Sequence, residues 1–132
     1  MAREDLEIVR RNLQAMEEGD AGALFRAAHS DIRVFPRPAE PDAAPEYRGL
    51  DGIMEYALNW LGQWDTYEWE LVEIRDAGDH ILAVLRERGR APSGLEVEGL
   101  FSYSFVLRDG KVVEWHMYDS HAEALAAVGL SQ

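Results

Sequence analysis

Residues 96–118 read EVEGLFSYSFVLRDGKVVEWHMY, and their spacing decides the fold. Side chains alternate across a strand, so Val97, Gly99, Phe101, Tyr103, Phe105 and Leu107 share one face. Glu96, Glu98, Ser102 and Ser104 take the other. Asp109-Gly110 then supplies the two-residue turn whose backbone twist suits an antiparallel hairpin. Carried across that turn, the alternation sends Val113, Trp115 and Met117 inward beside Phe101, Tyr103 and Phe105. The stretch predicts a hairpin with one strongly aromatic face that other elements must cover.

Upstream the same period of two recurs. Tyr67, Trp69 and Leu71 alternate with Glu68 and Glu70, and Ala77-Gly78-Asp79 marks a turn before a second strand from Ile81 to Arg88. A loop over Gly89 to Gly94 leads into the aromatic strand. Downstream, the last strand runs from Lys111 to Tyr118. Ser120-His121-Ala122-Glu123 has the form of a capping box, opening a terminal helix through Ala124, Leu125 and Val128 that Gly129 ends.

The first half has the helical period. Leu6, Val9, Leu13 and Met16 make one stripe of a helix from Asp5 to Glu18. Gly19 stops it, Asp20 suits an N-cap, and Leu24, Phe25, Ala27 and Ala28 suggest a short second helix. A short strand follows from Asp31 to Phe35. Pro36, Pro38, Pro41 and Pro45 then keep the stretch to Glu46 out of any central strand or helix. Asp51 is placed to cap a third long helix, with Ile53, Tyr56, Ala57, Trp60, Leu61 and Trp64 along one face. Helices first and an antiparallel meander after make an α+β domain.

A chain of 132 residues has room for one domain, spanning 1–132. Its 47% hydrophobic and 29% charged residues suit a packed core rather than disorder. Lys and Arg number 13 against 25 Asp and Glu, and the net charge of -12 repels nucleic acid and anionic membrane surfaces. With no cysteine there is neither a disulfide nor a thiolate zinc site. No apolar run approaches a membrane span, so a soluble, cytoplasmic protein is expected. Phosphate loops, nucleophile elbows and zinc helix motifs have no counterpart. His116, Asp119 and His121 are close in sequence but straddle a strand end and a helix cap, so no metal and no cofactor are expected.

Asp5-Leu6-Glu7-Ile8-Val9-Arg10-Arg11, then Glu18-Gly19-Asp20, then Tyr47-Arg48-Gly49 before a helix resemble the SnoaL-like branch of the nuclear transport factor 2-like superfamily. Arg108-Asp109-Gly110-Lys111-Val112-Val113, Ala122-Glu123-Ala124-Leu125 and Gly129-Leu130 extend the resemblance over nearly the whole chain. It implies a curved sheet wrapped around helices, with a cone-shaped pocket open at one side. Such proteins include polyketide cyclases, ketosteroid isomerases, epoxide hydrolases, dehydratases and non-catalytic binding modules, so the fold alone does not fix an activity. The cyclases place an Asp after a tryptophan-containing segment on the last strand and an acidic residue or His on the strand before. Here those places hold Met117 and Tyr103. The Tyr-Asp oxyanion hole and Asp base of the isomerases are not evident either.

Three residues are candidates for chemistry. The apolar stripe Ile81, Ala83 and Leu85, continued by two places, reaches Glu87, a carboxylate whose pKa burial would raise toward general-base range. Its neighbours Arg86 and Arg88 also suit a solvated, salt-bridged glutamate. His116 can trade protons near neutrality, yet its parity with Glu114 and Tyr118 sets it opposite Trp115 unless a bulge reverses the face. Tyr103 can direct its hydroxyl at a ligand carbonyl or an enolate. Tyr56, Trp60, Trp64, Leu85, Phe101, Trp115 and Met117 are expected to bind ligand along the pocket wall.

Two functions are open at this point. One is a pocket protein for a small, largely apolar, carbonyl-bearing ligand, with acid/base chemistry of isomerase, cyclase or dehydratase type. The other is a non-catalytic dimeric binding or assembly module, its pocket plugged by Trp60, Trp64 and Trp115. A homodimer is expected through the outer sheet face, where alternation leaves Leu100, Val106, Val112 and Tyr118.

Overall fold

The computed structural model describes residues 2–20, 22–40 and 43–130. Helix α1 (Ala2–Glu17) and the short α2 (Ala23–Ala27) lead into strand β1 (Ala28–Phe35). After the proline-rich stretch come β2 (Tyr47–Arg48) and α3 (Gly49–Leu61). The meander is β3 (Thr66–Ala77), β4 (His80–Arg90), β5 (Glu96–Arg108) and β6 (Lys111–Met117), and α4 (His121–Ala127) closes the order. The strands form one curved, unclosed sheet in the order β2-β1-β6-β5-β4-β3, with β1 and β6 parallel and the other neighbours antiparallel.

The concave face carries the core. Val9 and Leu13 of α1 and Ile53 and Tyr56 of α3 pack against Ile32, Val34, Ile81, Ala83, Leu85, Tyr103 and Phe105 of the strands. Residues three and four apart on the helices thus meet residues two apart on the strands, as the two periods require. On the convex face, α4 buries Ala124 and Leu125 against Leu82. Beneath it, Ser102 Oγ lies 2.8 Å from His121 Nδ1 and Ser104 Oγ 2.7 Å from the Tyr118 hydroxyl. Elsewhere that face carries cross-strand charge rows, Glu70 with Arg86, Arg88 with Glu68 and Glu98, and Arg90 with Glu96.

Several local expectations change. Asp109 (φ 55) and Gly110 (φ 78) do form the left-handed turn, but Leu107 pairs with Val112 and Val106 with Glu114, leaving Val113 as an extra residue. This bulge turns Val112 into the core at 8% exposure in place of Val113. The outer-face patch expected for a dimer therefore loses Val112, and Tyr118 is half-buried beside α4. Asp20 does not cap α2; Gly22 holds that position and the Asp20 carboxylate pairs with Arg26. Arg48 is the N-cap of α3, and Asp51 stands in the first turn, where its charge suits the helix dipole. Ala28 begins β1 rather than ending α2, while β3 and β4 both run further than their alternation suggests. No helix among the described residues is long and apolar enough to cross a membrane.

Candidate functional site

Where the sheet curls away from the helices it leaves a cavity of about 330 Å³. Leu13, Met16 and Leu24 close one side and Tyr56, Ala57, Trp60 and Leu61 of α3 another. The strands contribute Tyr67, Trp69, Leu85, Glu87, Tyr103, Phe105, Trp115 and Met117. The inward row of β4, Ile81, Ala83 and Leu85, ends on Glu87, which pairs with Trp69 of β3 and Gly99 of β5. One carboxyl thus stands in a wall that is otherwise mostly apolar.

Glu87 is 2% exposed. The Tyr67 hydroxyl donates to its Oε1 and the Tyr103 hydroxyl to its Oε2. Burial pushes the Glu87 carboxyl above the ordinary carboxylate range, against the pull of the Tyr103 and Tyr67 hydrogen bonds and the Arg37 charge. Both phenols are raised in turn, first by burial and then by the charge of Glu87, so they remain protonated donors. Each phenol has a single O–H, and here it is committed to the carboxylate.

The proline-rich stretch adds two charged groups. Arg37 lies with its guanidinium carbon 4.3 Å from the Phe101 ring centroid and 5.3 Å from that of Trp60. Its Nη2 is 3.6 Å from Glu40 Oε1, and the two side chains are 10% and 4% exposed. The Tyr56 hydroxyl lies 3.0 Å from the same Glu40 oxygen, as donor, and 3.1 Å from Met117 Sδ. Burial raises the Glu40 pKa, opposed by the Tyr56 hydrogen bond and Arg37 and reinforced by the charge of Glu87. Burial works against the Arg37 charge, but Tyr103 and Glu87 more than compensate and hold its pKa above the usual value. One guanidinium therefore serves two buried carboxyls and three phenols.

Of the residues singled out from the sequence, Glu87, Tyr103, Tyr56, Trp60, Leu85, Trp115 and Met117 meet at this cavity. Phe101 and Trp64 do not line it. Phe101 lies under Arg37, and Trp64 stacks on Tyr67 and over Gly89, where an added Cβ would come within 2.6 Å of its ring. His116 stays on the outer face. Its ring stacks on Phe35 at 4.5 Å and its Nε2 is 2.7 Å from Glu114 Oε1. The bulge lies before it in β6 and leaves the parity of Trp115, His116 and Met117 unchanged. Asp119 accepts from the Ala39 amide and His121 meets Ser102, and no metal-binding cluster occurs among the described residues.

Sequence reading missed Tyr67 in this role, although it shares the parity of Trp69 and Leu71 and the hairpin register carries it toward Glu87. Arg37 and Glu40 had only one signal, that of charged residues in a segment crowded with proline.

Among solved structures, the chain is similar to an NTF2-like protein of Burkholderia thailandensis at 24% identity, covering 96% of this chain and 98% of that one, with TM-score 0.78. Bal32a from a soil-derived mobile gene cassette matches at 19% identity over 88% of each chain, TM-score 0.77. TerC, co-crystallised with polyporic acid, matches at 14% identity over 96% of this chain and 98% of its own, TM-score 0.77. A comparison with curated proteins finds no match. These likenesses establish the cone, and the SnoaL-like domain model matches the sequence itself over residues 9–115. The chain belongs to the SnoaL-like domain family.

Proposed function

We propose that the chain binds a small, largely apolar, carbonyl-bearing ligand and exchanges a proton with it through Glu87. The observation that carries this reading is the Glu87 carboxyl, 2% exposed in a cavity of about 330 Å³ and hydrogen-bonded by two phenols. Burial brings such a carboxyl nearer to the working pH than an exposed one, which suits proton abstraction beside a carbonyl.

The donor inventory suggests how the phenols take part. While Glu87 is ionised, Tyr67 and Tyr103 spend their protons on it. When Glu87 takes a proton from the ligand carbon, the electron pair left behind moves to the carbonyl oxygen. The neutral carboxyl then holds the phenols less strongly, and either O–H is free to turn to that oxygen. Tyr103 acts in this scheme by following the charge from carboxylate to ligand. The plugged-module alternative has less support, since Trp60 and Trp115 line an open cavity and Trp64 lies behind it. The crystals of TerC with polyporic acid give an instance of a protein of this fold with a small organic molecule.

The test uses 2-tetralone as probe. It should quench tryptophan fluorescence saturably, and in D2O the wild type should accelerate deuterium exchange at its α-carbon, a gain that Glu87→Gln abolishes while binding persists. Equal exchange by both proteins removes Glu87 as the base, and no saturable binding of ketone or hydrocarbon removes the pocket reading. The same proposal places the protein in the cytoplasm as a homodimer joined at the outer sheet face, where Leu100 is 58% exposed.

A further inference from the structure

A second, smaller cavity of about 40 Å³ lies beside the first. Leu13, Met16, Leu24, Phe105 and Trp115 line both, so a single layer of side chains divides them. The smaller one is otherwise enclosed mainly by Val9, Ala28, Ile32, Ile53 and Val112, all buried. Asn12, the one amide side chain there, already donates its Nδ2 to the Ile8 carbonyl at 2.8 Å. A space lined in this way holds water poorly and accepts apolar groups. The side chains around it also forgo dispersion contacts that an apolar guest restores.

The strand register sets this space apart from Glu87. Glu87 pairs with Gly99 and Ile81 with Phe105, six residues along the same two strands, or about 20 Å at the rise of a strand. Past Phe105, Val112 pairs with Leu107 and with Ala28. The carboxyl therefore stands toward one end of the large cavity, and the small one adjoins the other. Met16, in the dividing layer, is only half-buried, and its unbranched side chain can turn aside without movement of the backbone. We infer that the ligand lies lengthwise, its carbonyl at Glu87 and a short alkyl group directed past Met16 into the small cavity. The inference rests on the pocket reading above and narrows its ligand class to carbonyl compounds alkylated at the end remote from the carbonyl.

Fluorescence titrations with 6-ethyl-2-tetralone and 3-ethyl-2-tetralone test this, beside 2-tetralone itself. The two isomers carry the same atoms, so their transfer from water nearly cancels in the ratio of their affinities. The wild type should bind the 6-ethyl isomer about fivefold more tightly, as expected for burying about one further methylene. Ala28→Val adds bulk to the small cavity and should erase that preference while 2-tetralone binds as before, which also shows that the variant is folded. Val112→Ala widens the small cavity and should increase the preference. Equal affinity for the two isomers in the wild type overturns the inference, while saturable 2-tetralone binding leaves the pocket reading standing. A preference that neither variant changes puts the ethyl group in the large cavity and overturns the inference as well. Should Ala28→Val fail to bind 2-tetralone, the response of Val112→Ala decides alone. If 2-tetralone does not saturate the wild type, the pocket reading fails and the inference falls with it.

Discussion

In the proposed function Glu87 is a residue whose readiness for proton exchange comes at a cost in stability. Its carboxyl is raised in the folded chain by burial, and that of Glu40 likewise. A group whose folded pKa exceeds its unfolded value holds more protons in the native state. Its stabilisation is complete below the unfolded value, about 4.3 for Glu, and is lost as pH rises through the folded one. Urea melts of the wild type from about pH 5 to about pH 8 should therefore lose stability relative to Glu87→Gln as pH rises. Glu46 does not disturb this window, because hydrogen bonds from Arg33 and Arg48 hold its pKa at about 2 and its contribution disappears only below that range. Parallel curves for the two proteins would mean that Glu87 titrates alike in folded and unfolded chains. The position of Glu87 was legible in the sequence, since a period of two extended by one step from Leu85 reaches it. Its state was not, because that depends on Tyr67 and Tyr103, brought from two other strands.

At the scale of elements, legibility followed the strength of local chemistry. Asp109-Gly110 dictates its turn because both residues tolerate positive φ. The bulge beyond it left no mark, since Val112 and Val113 are identical in kind and either register shows an apolar residue to the core. In β3 the pairing of Leu71 with Leu85 shifts at Val72, so that Glu73 meets Val84, and this irregularity hid the second half of the strand. The helix caps divide in the same way. Ser120 is the N-cap of α4 as its capping-box spacing predicts, with the Glu123 amide donating to its Oγ at 3.1 Å, whereas α3 has no side-chain cap. Ser120→Ala should lower stability by about 1 kcal/mol in denaturant melts, loosening the cover over Leu82 without unfolding the sheet. An unchanged midpoint would show that water or a neighbouring group satisfies that amide equally well.

For the whole molecule, the aromatic face of β5 required a cover and the two amphipathic helices supplied it, so the α+β layering was readable from the two periods, while the cone was carried by the resemblance to SnoaL-like proteins. The places of Arg37 and Glu40 were legible from neither, because they lie in a segment without periodicity and are held by contacts with Phe101, Trp60 and Tyr56. The proposed dimer is a question at this scale too. Each chain carries a net charge of -12, so two copies repel one another over the range set by the Debye length, about 8 Å at physiological salt and longer below it. The outer face that would join them presents the Glu and Arg rows of β3, β4 and β5 around Leu100, 58% exposed. Desolvating such rows gains little, so the apolar contact must drive association while the like charges oppose it. Added salt should then tighten the dimer. Light scattering at micromolar concentration should give about twice the chain mass of 14.9 kDa at physiological salt. The mass should fall toward that of one chain as salt is removed, and Leu100→Asp should shift the equilibrium to monomer at every salt concentration. A mass of 14.9 kDa throughout would mean that the outer face is a solvated surface whose charge rows serve only the pairing of their own strands.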